Sequence, residues 1–133
     1  MLQLGSDAPD FRLPEPASGG TVALADLSAA PALVVMLVSN HCPYVQHLFD
    51  GLTAFGNELV ERGIAVVAIG SNDRSTHPQD GPDHIAALVR KRGWRFPYLF
   101  DATQEVARAY QAACTPDFYV FDAKRELVYR GRF

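Results

Sequence analysis

Cysteine is scarce in this sequence, which contains only Cys42 and Cys114. Two cysteines in 133 residues can form at most one disulfide, too few to cross-link a small secreted domain, so a disulfide-rich scaffold is excluded. The scarcity leaves two alternatives open. The cysteines are either one redox-active pair or two unreactive thiols.

The sequence also lacks a long apolar run and a large excess of charge. The longest apolar run, Ala32–Val38, is far shorter than the roughly 20 residues of a membrane-spanning helix. The first residues form neither a basic nor an apolar leader. The net charge of −3 provides no field that would attract nucleic acid or an anionic membrane. We therefore expect a cytoplasmic protein with no nucleic-acid or membrane partner.

The motifs of several common sites are missing as well. The sequence has no phosphate loop, no Ser/His/Asp triad pattern and no paired carboxylates. His41, Cys42 and Cys114 have the chemistry of metal ligands, but the closely spaced cysteine pair of a metal site is missing. We expect neither a cofactor nor a metal.

What is present is the composition of one folded domain over residues 1–133, with 48% apolar and 20% charged residues. The unbroken run Ala32–Val38 predicts a central strand covered on both faces. A helix is predicted from Pro43 to about Arg62 and a second strand at Ile64–Ile69, which together make a βαβ unit. The other predicted elements are a hairpin of the arm at 5–20 with Thr21–Leu24, a helix at about Pro82–Arg92, a strand at Tyr98–Phe100, a helix from Asp101 to about Tyr110 with Gln104 in a capping box, and a hairpin of Asp117–Asp122 and Leu127–Arg132.

Cys42 has the most informative surroundings in the chain. It follows the predicted buried strand, and Pro43 suits the first position of a helix, which would place Cys42 at the N-cap. The unpaired N–H groups and the dipole of a helix N-terminus both favour a thiolate there, and His41 could add to this effect. The alternative is that Cys42 is a small buried apolar residue, as free cysteines usually are.

The order of these elements resembles the thioredoxin fold, and within it the redoxin branch of alkyl hydroperoxide reductase/thiol-specific antioxidant and thioredoxin-like proteins. Four segments carry the resemblance. They are the arm Gly5–Leu13, the active-site loop Asn40-His-Cys-Pro-Tyr-Val45, Thr115-Pro116 at the family's cis-proline, and the hairpin from Phe118 through Gly131. The resemblance implies a central mixed sheet flanked by helices. Because the sequence stops at Phe133 with the last hairpin strand, the final C-terminal helix of that fold is expected to be absent.

The sequence departs from the family pattern at several positions. Val45 stands where thioredoxins have their second cysteine, so no local disulfide forms. Since the Ala32–Val38 run contains no acid, protons must move through His41, Asp117 or water. The peroxidase arginine falls on Pro116, and only Arg130 or Arg95 could replace it. Ser39 could supply the hydroxyl that peroxiredoxins take from a threonine.

The resemblance also gives Cys114 a place, because the loop before the cis-proline packs against the active-site cysteine in thioredoxin-like folds. Cys114 is then a candidate resolving thiol for Cys42, and the alternative is a buried structural thiol. A relaxed disulfide needs Cα atoms about 4–7 Å apart. Thr115 and Pro116, with Ser39 and Pro43, are the expected substrate-binding residues.

Together these features indicate a thiol-disulfide oxidoreductase with Cys42 as nucleophile. The expected partners are a protein or small-molecule thiol or disulfide and an external thiol reductant, and a homodimer remains open. The alternatives are a thiol peroxidase of the same fold and a binding module without catalysis.

Overall fold

The computed structural model describes residues 2–38, 43–71, 81–111 and 117–131, with the backbone alone at 43–47. The elements follow the predicted order. They are β1 (Arg12–Glu15), β2 (Gly20–Ala23), a 3₁₀ turn (Leu24–Leu27), β3 (Leu33–Val38), α1 (Pro43–Glu61), β4 (Ala65–Gly70), α2 (Pro82–Arg92), β5 (Tyr98–Phe100), α3 (Glu105–Ala109), β6 (Asp117–Phe121) and β7 (Leu127–Gly131).

The centre of the molecule is a five-stranded mixed sheet in the order β5-β4-β3-β6-β7. Strands β3, β4 and β5 are parallel, while β6 runs antiparallel to β3 and pairs with β7 as a hairpin. All six residues of β3 are buried, because the strand has neighbours on both sides and apolar cover on both faces. The predicted central strand, the βαβ unit and the C-terminal hairpin are therefore confirmed.

The two faces of the sheet bury separate apolar clusters. Leu33, Val35 and Leu37 of β3 face the N-terminal arm and α3, together with Tyr119 and Phe121 of β6. The intervening residues of β3 face α1 and α2 on the other side, as the alternation of side chains along a strand requires. Three aromatic residues form part of this second cluster. Trp94, Phe96 and Tyr98 are all buried, with Trp94 stacked on both of the others.

The N-terminal arm forms the predicted hairpin, in which β1 pairs antiparallel with β2. One arginine ties this part of the chain to the C-terminal hairpin. Arg125 lies in the turn between β6 and β7, and its Nη2 donates to the carbonyls of Leu27 at 2.7 Å and Ala30 at 2.8 Å. Because these carbonyls lie just before β3, the side chain joins two elements that are distant in sequence.

The third helix differs from the prediction. It begins at Glu105 rather than at Asp101. Gln104 has a left-handed backbone with φ of 64° and makes no side-chain cap, so the predicted capping box is wrong. The reason is that the carboxylate of Asp101 bonds elsewhere. It accepts one hydrogen bond from Ser71 Oγ at 2.8 Å and one from the N–H of Ala107 at 3.1 Å.

Candidate functional site

The described strands that flank the predicted functional segments end or begin at one end of the central sheet. The parallel strands β3, β4 and β5 end there side by side, with Val38 opposite Gly70 and Gly70 opposite Phe100. Because β6 is antiparallel, it begins at the same end, with Asp117 opposite Leu37. We call this end the carboxyl edge. In α/β sheets, ligands bind in the crevice outside the carboxyl ends of the strands.

Most of the predicted site residues lie outside the described part of the chain, including both cysteines. Pro43 is described as the first residue of α1, by its backbone only. The described residues do show which elements flank these predicted residues in the sequence. Val38 ends β3, Pro43 starts α1 and Asp117 starts β6. The predicted residues outside the description are Ser39, His41, Cys42, Cys114, Thr115 and Pro116.

Asp117 is the candidate proton carrier that the structure does describe. Its exposed fraction is only 2%, which is unusual for a carboxylate and points to a specific environment. It shares the face of β6 that carries Tyr119, and its negative charge raises the pKa of that tyrosine while Arg130 lowers it. The structure thus places a buried acid at the carboxyl edge, three positions after Cys114 in the sequence.

Two buried tyrosines lie beside this acid. The hydroxyl of Tyr119 donates to the backbone carbonyl of Tyr110 at 2.9 Å, and the hydroxyl of Tyr110 donates to the carbonyl of Pro9 at 2.9 Å. Their rings meet edge to face, with centroids 5.4 Å apart. Burial, and then the charge of Asp117, raise the pKa of Tyr119 to about 12. Burial raises the pKa of Tyr110 above its usual range as well.

These raised pKa values predict a loss of stability in alkali. An unfolded tyrosine ionises near pH 10, whereas folded Tyr119, with its pKa of about 12, still holds its proton there. The stabilisation is complete below pH 10 and is lost as the pH rises toward 12, by up to about 1.4 kcal/mol per pH unit for each tyrosine. Urea unfolding between pH 8 and pH 11 measures this slope. Tyr119→Phe is expected to flatten it, and equal slopes in the two proteins would contradict the assignment.

Asp101 is a buried polar residue whose role the sequence did not reveal. Its exposed fraction is 1%, and it directly follows β5 at the carboxyl edge. Its bond to Ser71, which directly follows β4, joins the ends of two neighbouring strands. The residue also lines a cavity of about 540 Å³ between β1 and α3. In the sequence, the position of Asp101 directly after a predicted buried strand could have indicated this role, but an acid at that position also suits the start of a helix.

The structure also separates the two arginines considered as replacements for a peroxidase arginine. Arg95 forms an ion pair with Glu61, with Nη1 and Oε1 2.6 Å apart. Glu61 is the last residue of α1, a helix of 19 residues that is about 28 Å long at 1.5 Å per residue. Arg95 therefore lies at the end of α1 opposite Pro43, the residue that follows Cys42 in the sequence, and its candidacy is wrong. Arg130 lies on β7 opposite Tyr119, and its charge lowers the pKa of that tyrosine.

The described residues contain neither a cluster of metal ligands nor a membrane-spanning helix. Within residues 2–38, 43–71, 81–111 and 117–131, no group of three or more His, Cys, Asp or Glu side chains is arranged to hold a metal ion. The helices in those ranges are too short or too polar to cross a membrane.

Comparison with known proteins gives this arrangement a context. The model of the AhpC/TSA family matches residues 4–130. An uncharacterized conserved protein from Geobacillus kaustophilus is 45% identical, with a TM-score of 0.95 over 99% of this chain and 70% of its own. No curated protein matches the chain by sequence.

Two more distant structures share the fold. The thioredoxin domain of a thiol-disulfide oxidoreductase from Bacteroides vulgatus is 16% identical, with a TM-score of 0.78 over 98% of this chain and 89% of its own. A peroxidoxin, BcpB, from Mycobacterium tuberculosis is 18% identical, with a TM-score of 0.78 over 99% of this chain and 86% of its own. Both confirm the thioredoxin-like architecture.

Proposed function

Because the chain belongs to the AhpC/TSA family of thioredoxin-like redoxins, we propose that it is a thiol-disulfide oxidoreductase with Cys42 as its nucleophile. One observation carries the proposal. Cys42 directly precedes the first residue of α1, and this helix starts next to the carboxyl edge. A helix of this length presents free N–H groups and a positive dipole at its start, which stabilise a thiolate. Such surroundings lower the pKa of a cysteine.

The first chemical step is attack on a disulfide. The Cys42 thiolate attacks one sulfur of the substrate, a new S–S bond joins Cys42 to that half, and the other half leaves as a thiolate that takes a proton. Asp117, buried at the carboxyl edge, and His41 are the proposed proton carriers. Ser39, Pro43, Thr115 and Pro116 are the proposed contacts to the substrate.

The second step releases the bound half of the substrate. We propose that Cys114 attacks the Cys42 sulfur, which expels the substrate thiolate and leaves an intramolecular disulfide for an external dithiol to reduce. The register supports this pairing. Leu37 and Asp117 are partners, so their Cα atoms lie about 5 Å apart. Since Cys114 precedes Asp117 by three residues, its Cα lies at most about 11 Å from that of Asp117.

The pH dependence of alkylation tests the nucleophile directly. In the variant Cys114→Ser, Cys42 is the only thiol, and we expect iodoacetamide to modify it in the folded protein with a midpoint below that of an ordinary cysteine, about pH 8.5. The same variant unfolded in guanidinium chloride is the control, with an ordinary midpoint. A folded midpoint at or above the unfolded one would support a binding module instead.

A thiol peroxidase is the second candidate, favoured by membership of the AhpC/TSA family. In that reaction the thiolate attacks a peroxide oxygen, which yields a sulfenic acid on Cys42 and water or an alcohol. The arginine that would polarise the peroxide is replaced by Pro116, and Arg130 is the remaining candidate. Cys42-dependent consumption of hydrogen peroxide at a rate above that of disulfide exchange would favour this reaction.

A further inference from the structure

The cavity between β1 and α3 has a volume of about 540 Å³, within the range of about 300–1,000 Å³ that small-molecule sites occupy. Residues 10–14 form one of its walls, and residues between Phe100 and Ala109 form the other. Asp117, the described acid of the proposed thiol site, is not among the residues that line it. A role for this cavity therefore has to be found outside the thiol chemistry.

The wall of the cavity carries an excess of negative charge. Among its described residues, Asp10, Asp101 and Glu105 contribute three carboxylates and Arg12 contributes the one cation. The resulting net charge of −2 is most of the −3 of the whole chain. The ion pairs between described residues all involve an acid of α1, so no described cation is paired with these three carboxylates. The cavity therefore favours a positively charged ligand.

Asp101 is the buried acid of this group, with an exposed fraction of 1%. Its carboxylate accepts hydrogen bonds from Ser71 Oγ and from the N–H of Ala107, and both bonds end on Oδ2. A carboxylate has about four acceptor positions on its two oxygens. The side chain is thus fixed in orientation and keeps acceptor capacity for a ligand. Because a buried charge has lost much of its hydration, it gains strongly from a cation that binds to it.

The arrangement of these carboxylates suits an organic cation better than a metal ion. Nowhere in the described part of the chain do three or more acidic, cysteine or histidine side chains lie close enough together to hold a metal. Carboxylates spread around a larger cavity can instead attract a cation that is attached to an apolar body. Buried apolar side chains in the same wall offer contacts to such a body. They are Phe11, Leu13, Phe100 and Val106.

Hydrogen bonds hold the two walls of the cavity in place. The hydroxyl of Tyr110, the C-cap of α3, donates to the carbonyl of Pro9, directly before the other wall. The bond from Ala107 to Asp101 fixes α3 against the end of β5. Since the cavity is preformed, little conformational freedom is lost when a ligand enters it.

We propose that this cavity binds a small organic amine, with the ammonium group against Asp101 and the apolar part against Phe11 and Phe100. The exposed carboxylates of Asp10 and Glu105 add to the attraction. The proposal does not depend on the proposed function, because it uses neither cysteine and none of the residues assigned to thiol chemistry.

Benzylamine is a suitable probe, since it carries a primary ammonium at pH 7 on an aromatic ring. Titration of the ¹⁵N-labelled protein, followed by the NMR shifts of its amides, measures binding. We expect saturable shifts concentrated at residues 10–14 and 100–109, with a dissociation constant on the order of 1 mM for a ligand of this size. Benzyl alcohol has nearly the same shape without the charge, and we expect it to bind at least about tenfold more weakly.

The exposed acids test the role of charge without removing the bonds of Asp101 that hold α3. A protein with both Asp10→Asn and Glu105→Gln is expected to bind benzylamine about fivefold more weakly, as the loss of two exposed charges near a cation predicts. The matched control carries Asp83→Asn and Glu126→Gln, which remove two exposed charges that do not line the cavity. Its affinity should change less than about twofold, because salt screens distant charges.

Three results would each overturn the proposal. They are the absence of saturable shifts, equal affinity for benzylamine and benzyl alcohol, and equal weakening in the two double variants. A fourth probe, N-acetyl-lysine methylamide, represents a lysine side chain of a peptide. If it binds more tightly than benzylamine, the ligand is a protein side chain and the small amine is rejected.

Discussion

Cys42→Ser is expected to abolish the fast reaction of the reduced protein with a small aromatic disulfide. A serine hydroxyl is not ionised at neutral pH and is a far weaker nucleophile than a thiolate. Removal of a covalent nucleophile typically lowers rates on the order of 10³-fold or more. Stopped-flow measurement of thionitrobenzoate release from 5,5′-dithiobis(2-nitrobenzoate) gives the rate constant directly.

The stoichiometry of the same reaction reports on Cys114. If Cys114 resolves the mixed disulfide on Cys42, the unaltered protein releases two equivalents of thionitrobenzoate. Cys114→Ser is then expected to keep the fast phase, to release one equivalent, and to retain the other half on Cys42, where intact mass detects it. A fast phase that survives Cys42→Ser would reject Cys42 as the nucleophile. One retained adduct in the unaltered protein would assign resolution to an external thiol.

The elements of this fold could be predicted where local physics decides them. All side chains of the unbroken apolar run at Ala32–Val38 can be buried only in a strand that is covered on both faces, and the run forms the central strand. Pro82 at the start and Gly93 at the end delimit α2, where Gly93 takes the left-handed conformation with φ of 66°. Such signals lie within a few residues of the structure that they specify.

The bonds that join distant segments could not be predicted in the same way. Asp101 bonds to Ser71, 30 residues away, and this bond outweighs the local preference for a helix start. Arg125 reaches carbonyls more than 90 residues away, and Tyr119 stabilises the end of α3. Each bond depends on the sheet order, which brings the partners together only after the strands have paired. The hydrogen bonds around the site are therefore harder to predict from the sequence than the strand ends that locate the site.

The largest effect on stability is expected from Gly56→Ala in the middle of α1. On an exposed helix face this change would stabilise the protein by about 1 kcal/mol. At Gly56, however, the added Cβ would overlap the ring of Phe96, whose Cε1 is nearest and whose Cδ1 and Cζ would lie 2.8 Å away. Both groups are buried. We expect the free energy of unfolding to fall by about 1–3 kcal/mol, as for other overpacked cores.

The ring of Phe96 cannot easily move aside, because α1 is fastened to the segment around it. Trp94 stacks on Phe96 with centroids 4.6 Å apart, and its Nε1 donates to Thr53 Oγ1 at 2.6 Å. Asn57 bonds to the same segment, donating to the carbonyl of Gly93 and accepting from the N–H of Arg95. These bonds come from the helical turns on either side of Gly56, so the helix cannot tilt away without breaking them.

Gly51→Ala is the matched control, since Gly51 lies on the same helix and is exposed. There the change is expected to raise the free energy of unfolding by up to about 1 kcal/mol, as helix propensity alone requires. Urea unfolding of both variants gives two changes of opposite sign. Adding Phe96→Leu to Gly56→Ala should recover part of the loss, because the smaller side chain vacates the space that the new methyl group needs. If Gly56→Ala stabilises as much as Gly51→Ala, the close packing of α1 on Phe96 is wrong. The position of the helix that follows Cys42 would then have to be revised.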